Sequence, residues 1–397
     1  MSNAKIVVNG LYKIFGSHPD QAYELLQQGK DKDEIFETTG NTIGVKDASF
    51  EVYEGEVFVV MGLSGSGKST LVRMLNRLID PTYGVVEIDG RDIVKMSKSD
   101  LIQVRRKEMA MVFQSFALMP HQRVIDNAAF GLEVAGVPRE QRYERALKSL
   151  EAVGLKPNAY SYPDELSGGM KQRVGLARAL TNDPSIMLMD EAFSALDPLI
   201  RTEMQDELLR LQSEQRRTVV FITHDLDEAM RIGDRIAVMQ DGAVVQIGTP
   251  EEIVTSPANE YVSSFFKGVD VTQVFQAGDI CGKGPKTVIE RAGSDLNSAT
   301  EALKNSADEI AFVIGKDRKY EGLVTAESLL EAKKNKGGKL EDALVANIEA
   351  VRADMSLSEV LHRVAHSRYP VPVVDDNNVY KGAISKTALL QTLDRAV

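Results

Sequence analysis

The sequence predicts an α/β fold with a buried sheet covered by helices, followed by a smaller α+β region that contains a repeat. Three short apolar runs lie between helical segments, at Val57–Met61, Ile186–Met189 and Thr218–Ile222. Apolar strands of this kind are typical of parallel sheets that are covered on both faces. The repeat has an offset of 60 residues and begins at Ala311. Because 397 residues exceed what one hydrophobic core usually organises, two or three domains are expected.

The composition excludes several classes of protein. The hydrophobic content of 43% and the charged content of 26% are those of a soluble globular protein. No apolar run approaches the roughly 20 residues of a membrane helix, and no basic-then-apolar start predicts a secretory signal. The single cysteine, Cys281, excludes an internal disulfide, fits a reducing cytoplasm and is interpreted as an inert linker thiol. The net charge of -11 argues against nucleic acid as the main partner.

The N-terminal region predicts two strands separated by an unusual segment. Apolar and polar residues alternate over Lys5–Phe15, which indicates a strand, and a second strand is expected near Lys46–Tyr53. Residues 17–44 lie between them and contain a second short helical pattern around Ile35. The apolar residues at helical spacing in the first part of this segment are Ala22, Leu25 and Leu26. We therefore expect an inserted pair of short helices.

A glycine-rich loop follows the strand at Val57–Met61 and precedes a helix predicted over Thr70–Leu78. Its sequence fits the pattern G-x-x-x-x-G-K-[ST]. Glycines let the backbone approach phosphate oxygens, and the N–H groups at the helix start form an anion cradle. Lys68 can reach the β- and γ-phosphates, and the Ser69 hydroxyl can bind Mg²⁺. The predicted nucleotide-binding residues of this phosphate loop are Gly62, Leu63, Ser64, Gly65, Ser66, Gly67, Lys68, Ser69 and Thr70.

An acidic pair, Asp190-Glu191, ends the apolar strand that starts at Ile186. In a phosphate-loop site the first carboxylate holds the metal through water, and the second orients or deprotonates the attacking water. An acidic pair after a strand is common and usually starts a solvated helix. The presence of Leu-Ser-Gly-Gly-Met at Leu166–Met170, twenty residues before the pair, favours the catalytic interpretation.

Together these motifs resemble the ATPase subunits of ATP-binding-cassette (ABC) transporters. Seven elements of that family occur in the family's order, over residues 5 to about 240. They are Phe15, Gly62–Ser69, Gln114, Leu166–Met170, Asp190-Glu191, Ser194–Asp197 and His224. The resemblance implies a P-loop ABC ATPase domain over residues 1–270, with a mixed sheet core and a helical subdomain over about 115–180.

The resemblance also implies that the active form is a head-to-tail homodimer with two ATP molecules at its interface. The signature of one subunit then binds the γ-phosphate held by the other. The signature residues are Leu166, Ser167, Gly168, Gly169 and Met170. Met170 stands where the family usually has glutamine, and Gln172 is not assumed to replace it. Because the serine and the two glycines supply the phosphate-facing groups, this departure should not abolish function. The helix that the signature opens is predicted over Met170–Leu180.

The remaining family roles fall on single residues. His224 would bond the γ-phosphate and sense its loss, and Asp197 is the aspartate of the family's short loop after the acidic strand. Gln114 would touch Mg²⁺ and report to a membrane partner through residues 115–124. Phe15 would stack on adenine, although the insertion that follows it bears on whether it reaches the base. The metal residues are then Ser69, Gln114 and, through water, Asp190.

The C-terminal repeat resembles a tandem pair of cystathionine-β-synthase-type (CBS) modules. Residues 311–325 and 371–385 both read as strand, polar turn, Tyr-x-Gly and strand, and a helix containing Leu-Leu follows each copy. Repetition alone could reflect duplicated packing units, but the paired glycines and the following Ser/Thr favour the family. The predicted regulatory domain spans 277–397, with modules at about 277–336 and 337–397.

The whole combination resembles the ATPase subunit of osmoregulated importers of glycine betaine, proline betaine and related quaternary amines. This resemblance implies Mg²⁺ with ATP as substrate, a transmembrane permease, an external solute-binding protein and a peripheral location on the cytoplasmic face of the inner membrane. The alternatives are an importer ATPase for another small solute such as an amino acid and, in another class, a soluble ABC ATPase that acts on DNA or ribosomes. No basic face, second cassette or long coiled coil supports the latter.

The ligand of the tail stays open at this stage. In the family the CBS pair tunes activity to ionic strength, and a lysine cluster could meet anionic lipid and be screened by salt. That cluster comprises Lys333, Lys334, Lys336 and Lys339, and it reads equally well as a solvated loop. Ser328 and Ala388 stand where adenosine-binding modules carry aspartate, which predicts poor AMP or ATP binding. A cyclic dinucleotide ligand and a purely structural dimerisation role remain alternatives.

Overall fold

The computed structural model describes residues 3–266, 272, 275–282, 288–290, 296–305, 309–334, 339–346 and 348–394. It divides into two compact units, Met1–Phe265 and Phe266–Val397. The strands of the first unit are β1 (Ala4–Phe15), β2 (Thr42–Tyr53), β3 (Val57–Met61), β4 (Tyr83–Ile88), β5 (Arg91–Asp92), β6 (Met109–Phe113), β7 (Ile186–Asp190), β8 (Thr218–Thr223), β9 (Arg235–Gln240) and β10 (Ala243–Gly248). Its α-helices are α1 (Pro19–Gln27), α2 (Lys32–Thr39), α3 (Lys68–Leu75), α4 (Lys98–Lys107), α5 (Val124–Val134), α6 (Arg139–Ala152), α7 (Gly168–Thr181), α8 (Pro198–Glu214), α9 (Leu226–Ile232), α10 (Pro250–Thr255) and α11 (Glu260–Phe266).

Two sheets form the frame of the first unit. The six-stranded sheet has the order β10-β9-β3-β8-β7-β6, in which β10 is antiparallel and the other neighbours are parallel. The four-stranded sheet has the order β2-β1-β4-β5 and is antiparallel. The central strands β3, β7 and β8 are buried at every position, as their apolar sequences predict. The predicted α/β class and mixed sheet core are confirmed.

The main hydrophobic core lies between these sheets and fixes the helix after the phosphate loop. Phe50 of β2 and Phe58 of β3 stack with ring centroids 5.2 Å apart. On α3 the side chains of Leu71 and Leu75 are fully buried in the same cluster. Burial of each such side chain stabilises the fold by about 1.5–3 kcal/mol. The helix that carries the phosphate loop is therefore anchored at its far end.

The inserted segment is a pair of helices, α1 and α2. The two helices and the ends of β1 and β2 share a small core of fully or nearly fully buried side chains, Ile14, Ala22, Ile35 and Ile43. The strands that flank it stay paired up to Phe15 and Thr42. The second strand thus begins four residues before the expected Lys46. Because the pairing continues to the edge of the insertion, the two helices take the place of a β-hairpin turn, although the register is irregular at Lys13 and Ile14.

Two helices begin earlier than the sequence patterns suggest. The helix after the phosphate loop spans Lys68–Leu75 rather than Thr70–Leu78, and it ends before Arg77, whose φ of 56° is left-handed. The signature helix begins at Gly168 rather than Met170, because the side chain of Ser167 caps it by accepting a hydrogen bond from the Met170 N–H.

The second unit contains two copies of one small fold. Its strands are β11 (Val288–Glu290), β12 (Ile310–Ile314), β13 (Tyr320–Thr325), β14 (Val351–Arg352), β15 (Val371–Val374) and β16 (Tyr380–Ile384). Its α-helices are α12 (Ala277–Ile280), α13 (Leu296–Lys304), α14 (Ala326–Lys334), α15 (Leu357–His366) and α16 (Lys386–Asp394). Each copy has a three-stranded sheet with one parallel and one antiparallel pairing.

The strand registers of the two copies match residue for residue. In β12–β13 Phe312 lies opposite Leu323, and in β15–β16 Pro372 lies opposite Ala383. Both antiparallel pairs also carry an irregularity at the same place, before the paired tyrosine of the Tyr-x-Gly sequence. The internal repeat seen in the sequence is thus a structural duplication.

Candidate active site

The geometry of the site follows from strands that end at one edge of the parallel sheet. The phosphate loop follows β3, Gln114 follows β6, Glu191 follows β7 and His224 follows β8. Neighbouring strands keep their ends level, since Met61 lies opposite Thr223. The carboxyl ends of parallel strands share one edge, where α/β proteins bind ligands. The sheet therefore gathers four sequence-predicted elements into one place.

The phosphate loop is folded tightly against its surroundings. Gly62 has a φ of 153°, and a Cβ atom at this position would lie 2.3 Å from the carbonyl oxygen of Met239. Gly67 has a φ of 101°, and its Cβ would lie 2.3 Å from the carbonyl oxygen of Gly44. Both positions require glycine for conformation and for space. The loop is thereby held with its backbone N–H groups at the start of α3, as anion binding requires.

Lys68 is buried and directed into the loop. Its Nζ donates hydrogen bonds to the carbonyl oxygens of Gly62 at 2.8 Å and Leu63 at 3.0 Å. Burial lowers the pKa of Lys68, while the nearby carboxylates of Glu191 and Asp190 oppose that shift. A buried ammonium with only carbonyl partners is stabilised further by an anion. The side chain is thus placed to receive phosphate oxygens.

Asp190 is a buried carboxylate between a hydroxyl and a guanidinium. Ser69 Oγ donates to Asp190 Oδ1 at 2.7 Å, and Arg73 Nη2 lies 3.1 Å from Asp190 Oδ2. Arg73 lies on α3 one turn after Ser69 and was not singled out from the sequence. A hydroxyl, a carboxylate and the amide of Gln114 are hard oxygen ligands of the type that Mg²⁺ accepts. The residues present therefore fit the predicted metal.

Glu191 lies at the centre of the polar cluster. Its φ of 48° is left-handed, which costs a non-glycine residue about 1–2 kcal/mol. Gln114 Nε2 donates to Glu191 Oε2 at 3.3 Å, and His224 Nδ1 lies 3.6 Å from Glu191 Oε1. Gln114 Nε2 also reaches Ser194 Oγ at 3.2 Å. Strained backbone at a carboxylate surrounded by polar groups is characteristic of functional sites.

The signature forms the exposed start of α7. Leu166 is buried, whereas Ser167 and Gly168 are exposed and Met170 is half-buried. The positive end of the helix dipole and the free N–H groups of the first turn therefore face outward. Gln172 is 1% exposed, and its side-chain amide has no hydrogen-bond partner among the described residues. It lies in the interior and cannot take the place of the usual glutamine at Met170.

Phe15 ends β1 at the edge of the insertion. It is 40% exposed and is the last paired residue of β1, opposite Thr42. A Cβ added to Gly44 would lie 2.7 Å from its ring, and the Gly44 carbonyl in turn packs against Gly67 of the phosphate loop. Gly44 thus lies between the Phe15 ring and the backbone of the phosphate loop, and the ring is partly open to solvent.

An arginine that the sequence motifs do not include joins two of the predicted loops. Arg201, on α8, donates to the carbonyl oxygens of Leu196 at 3.2 Å and Ser194 at 3.4 Å. Its Nη1 also lies 2.8 Å from Asp225 Oδ2, beside His224. Asp197 caps α8 by accepting from the Ile200 N–H at 3.1 Å. An arginine four residues after a loop aspartate carries no signal by itself; only the fold shows what it contacts.

Two buried polar side chains, Glu228 and Thr223, support the turn that carries His224. Glu228 is 3% exposed and is hydrogen-bonded to Thr223 and Gln205. Burial raises the pKa of Glu228, and the hydrogen bond from Thr223 partly offsets that shift. The backbone N–H of Asp225 donates to Thr223 Oγ1 at 2.9 Å. The turn that carries His224 is therefore fixed from below.

Comparisons with known proteins agree with this geometry. The family model described as ABC transporter matches residues 45–194, and the model described as CBS domain matches residues 340–395. The glycine betaine/proline betaine transport system ATP-binding protein of Escherichia coli (strain K12) is 57% identical over 392 residues, which cover 98% of this chain and 98% of that protein. The chain belongs to the ABC transporter ATP-binding protein family. The glycine betaine transport ATP-binding protein of Bacillus subtilis (strain 168) is 50% identical over 389 residues, with coverage of 98% and 92%.

Solved structures of this family extend the agreement to the fold and the reaction. A dimeric bacterial ABC transporter cassette is 32% identical, with a TM-score of 0.52, and covers 62% of this chain and 98% of its own. A second structure, a dimeric cassette in a post-hydrolysis state bound to ADP and phosphate, is 31% identical with the same TM-score. The predicted ABC ATPase fold and ATP-hydrolase class are confirmed.

Two structural features are absent from the described residues. Within the described ranges, no helix is both long and apolar enough to cross a membrane. Among those same residues, no group of three or more His, Cys, Asp or Glu side chains forms a candidate metal site. The site for Mg²⁺ considered above differs from such a cluster, because its protein ligands would be a hydroxyl, an amide and a carboxylate.

Proposed function

We propose that this chain is the ATP-hydrolysing subunit of an importer of quaternary amines such as glycine betaine and proline betaine. The observation that carries the proposal is the 57% identity to a glycine betaine/proline betaine transport protein over 98% of both chains. Because the match includes the inserted helices and the C-terminal repeat, it extends well beyond the common ATPase core. The solute itself does not touch this subunit.

The phosphate loop and Lys68 bind the ATP phosphates in this proposal. Lys68 exchanges its two carbonyl partners for phosphate oxygens, which pair its charge and offset its burial. Mg²⁺, when bound, would neutralise charge on the β- and γ-phosphates. Ser69 and Gln114 would hold it directly and Asp190 through water, with Arg73 keeping the Asp190 carboxylate in place. Phe15 would stack on the adenine.

Glu191 is the proposed general base. Gln114 and His224 hold its carboxylate at 3.3 and 3.6 Å, so that it faces the position of the attacking water. Proton transfer to Glu191 as the water attacks leaves ADP and phosphate as products. His224 is 55% exposed in this subunit, which leaves its ring free to bond the γ-phosphate and respond to its loss.

The proposed working form is a homodimer that completes each site with the partner's signature. Ser167 and Gly168 present a hydroxyl and helix N–H groups to solvent. Groups of this kind at a helix N-terminus bind anions such as a γ-phosphate. Asp197 caps α8, and Leu199 in the first turn of that helix is exposed. Solved cassettes of the family are described as dimers, which supports this arrangement.

The proposed partners and location follow from the same family. The dimer would sit on the cytoplasmic face of the inner membrane, bound to a transmembrane permease that receives solute from an external binding protein. The C-terminal unit would regulate the ATPase in response to ionic strength. Lys333, Lys334 and Lys339 are exposed and could meet anionic lipid, whereas Lys336 lies outside the described residues.

Reconstitution with the cognate permease and binding protein tests the proposal. ATP hydrolysis should rise on addition of glycine betaine or proline betaine and should depend on salt. Trimethylamine N-oxide and choline belong in the same panel, because ATP-binding proteins of transport systems for these solutes are 47% and 33% identical. Stimulation by an amino acid alone would overturn the assignment of the solute class while leaving the ATPase assignment intact.

A further inference from the structure

The last helix of the first unit reaches the phosphate loop through one phenol. Tyr261, on α11, donates from its hydroxyl to the carbonyl oxygen of Met239 at 3.1 Å. The same hydroxyl accepts a long hydrogen bond from the Leu63 N–H at 3.5 Å. One side chain therefore joins the end of β9 to the second residue of the phosphate loop. Tyr261 itself lies outside the sequence motifs named above.

The end of β9 and the turn after it, residues 239–242, form a brace along one side of the phosphate loop. The Met239 carbonyl faces Gly62 so closely that no side chain fits between them. The Gly242 N–H donates to the Ser66 carbonyl at 3.0 Å. The brace is connected in turn to the insertion, since Lys32 Nζ lies 3.7 Å from Asp241 Oδ1. A shift of the brace must therefore move the loop that binds phosphate.

Helix α11 is firmly attached at this point. Val262 is fully buried, and its N–H is capped by Asn259 Oδ1 at 2.9 Å. The Tyr261 and Phe265 rings meet edge to face, with centroids 5.0 Å apart. Burial raises the pKa of Tyr261, so the hydroxyl stays protonated and able to donate. After Phe265 the chain enters the second unit.

We propose that Tyr261 is a positioning residue of the phosphate loop, and that the segment leading to the C-terminal unit acts on ATP binding through it. A displacement of α11 pulls on Met239 and Leu63 together, on either side of Gly62. The effect is on how well the loop N–H groups fit the phosphates, so it changes the affinity for ATP more than the chemical step. The regulatory part of this inference rests on the proposed response to ionic strength.

The test uses the full chain in the reconstituted importer with the substitution Tyr261→Phe. This change removes the hydroxyl and keeps the ring against Phe265. Loss of about 1 kcal/mol of hydrogen bonding predicts a KM for ATP raised about fivefold, with kcat nearly unchanged. The KM should also become insensitive to salt. Lys30→Met is the control, because it removes an exposed ion pair with Glu34 in the same insertion that does not involve the brace, and it should leave both quantities unchanged.

The possible outcomes test separately the positioning role of Tyr261 and the transmission of a signal from the C-terminal unit. An unchanged KM in Tyr261→Phe, with unchanged thermal unfolding, would overturn the positioning role. A raised KM that keeps the wild-type response to salt would overturn transmission from the tail. If the wild-type importer shows no response to salt, the proposed regulation fails, whereas the positioning role is still decided by the split between KM and kcat at one salt concentration.

Discussion

The two units differ in the side chains that their strands bring together: polar side chains in the first unit and aromatic side chains in the second. In the first unit the strand ends carry polar groups, and Glu191, Gln114 and His224 lie within hydrogen-bonding or ion-pairing reach of one another. In the second unit the two copies meet through an aromatic cluster. Tyr320 and Tyr380 stack with centroids 6.5 Å apart, and Phe312 contacts both rings.

This difference separates a site built for a ligand from a contact built for packing. The first unit keeps Glu191 in a left-handed backbone conformation, which costs stability and is characteristic of functional sites. In the second unit Ser328 bonds back to Thr325, and the Ala388 N–H is capped by Ser385. At the two positions that would hold ribose, the Ser328 side chain is therefore used in local hydrogen bonds to Thr325, and Ala388 has no polar side chain.

The largest expected effect is in the first unit. Glu191→Gln should retain ATP binding and lower turnover by about 10³-fold, because the proton acceptor is lost while the shape is kept. The variant should also trap the ATP-bound dimer, which size-exclusion chromatography with labelled ATP would show. Turnover close to that of the wild type would remove Glu191 from the role of base.

The matching change in the second unit is Phe312→Ala. Phe312 is fully buried between the copies, so its truncation should cost about 3–5 kcal/mol of unfolding free energy in that unit. The affinity for ATP should stay within twofold of the wild-type value. Differential scanning calorimetry with and without ATP measures both quantities. A variant that unfolds as the wild type does would show that this cluster does not hold the two copies together.

An intermediate effect is expected where two active-site loops are tied together. Arg201→Gln loses the ion pair with Asp225 and one of the fork contacts to Ser194 and Leu196, which should lower kcat about tenfold. Arg210→Gln is the control, because its ion pairs with Glu207 and Glu214 are also partly exposed and lie nine residues further along the same helix, away from these loops. Equal losses in the two variants would indicate a general effect on folding.

A smaller effect distinguishes the two tyrosines of the aromatic cluster. The Tyr380 hydroxyl is buried and has no hydrogen-bond partner among the described residues, whereas the Tyr320 hydroxyl donates to the Ile348 carbonyl at 3.4 Å. Burial raises the pKa of Tyr380 to about 12. Tyr380→Phe should therefore stabilise the unit by about 1 kcal/mol, and Tyr320→Phe should not. Urea denaturation of both variants would show the opposite sign if the Tyr380 hydroxyl has a partner in solution.

No effect at all is expected from AMP on the second unit. Neither copy has an aspartate at the ribose position, where Ser328 and Ala388 stand. Equilibrium dialysis of labelled AMP against the full chain, with the first site saturated by ATP, should show no further binding at micromolar concentrations. Saturable binding would mean that the packed copies open to admit a nucleotide.

The sequence predicts best those features that depend on local order. The phosphate loop, the acidic pair and the signature each lie on a strand end or helix start, and the parallel sheet then brings the strand ends together. The repeat was visible because its glycines and tyrosines recur at one spacing. The fold class and the family are accordingly confirmed, whereas the roles of individual site residues stay predictions.

The contacts that the sequence does not predict are those made across the fold. Arg73 meets Asp190 because α3 packs beside β7, and Arg201 meets Asp225 because α8 passes the end of β8. Arginine is common on helix surfaces, so neither residue has a recognisable pattern. The position of Phe15 depends on how β1 and β2 pair beside the insertion, which residue spacing does not specify.

The hairpin insertion also contains a site where a label could be attached. Its two helices are joined at Gly29, which is exposed, has a φ of 82° and has open space around its Cα. Exposed loop tips are where foreign sequence is best tolerated. A short peptide tag or a fluorophore attachment site placed there would lie at the far end of the helical pair. It would mark the assembled transporter at a site outside the phosphate-loop, signature and histidine motifs.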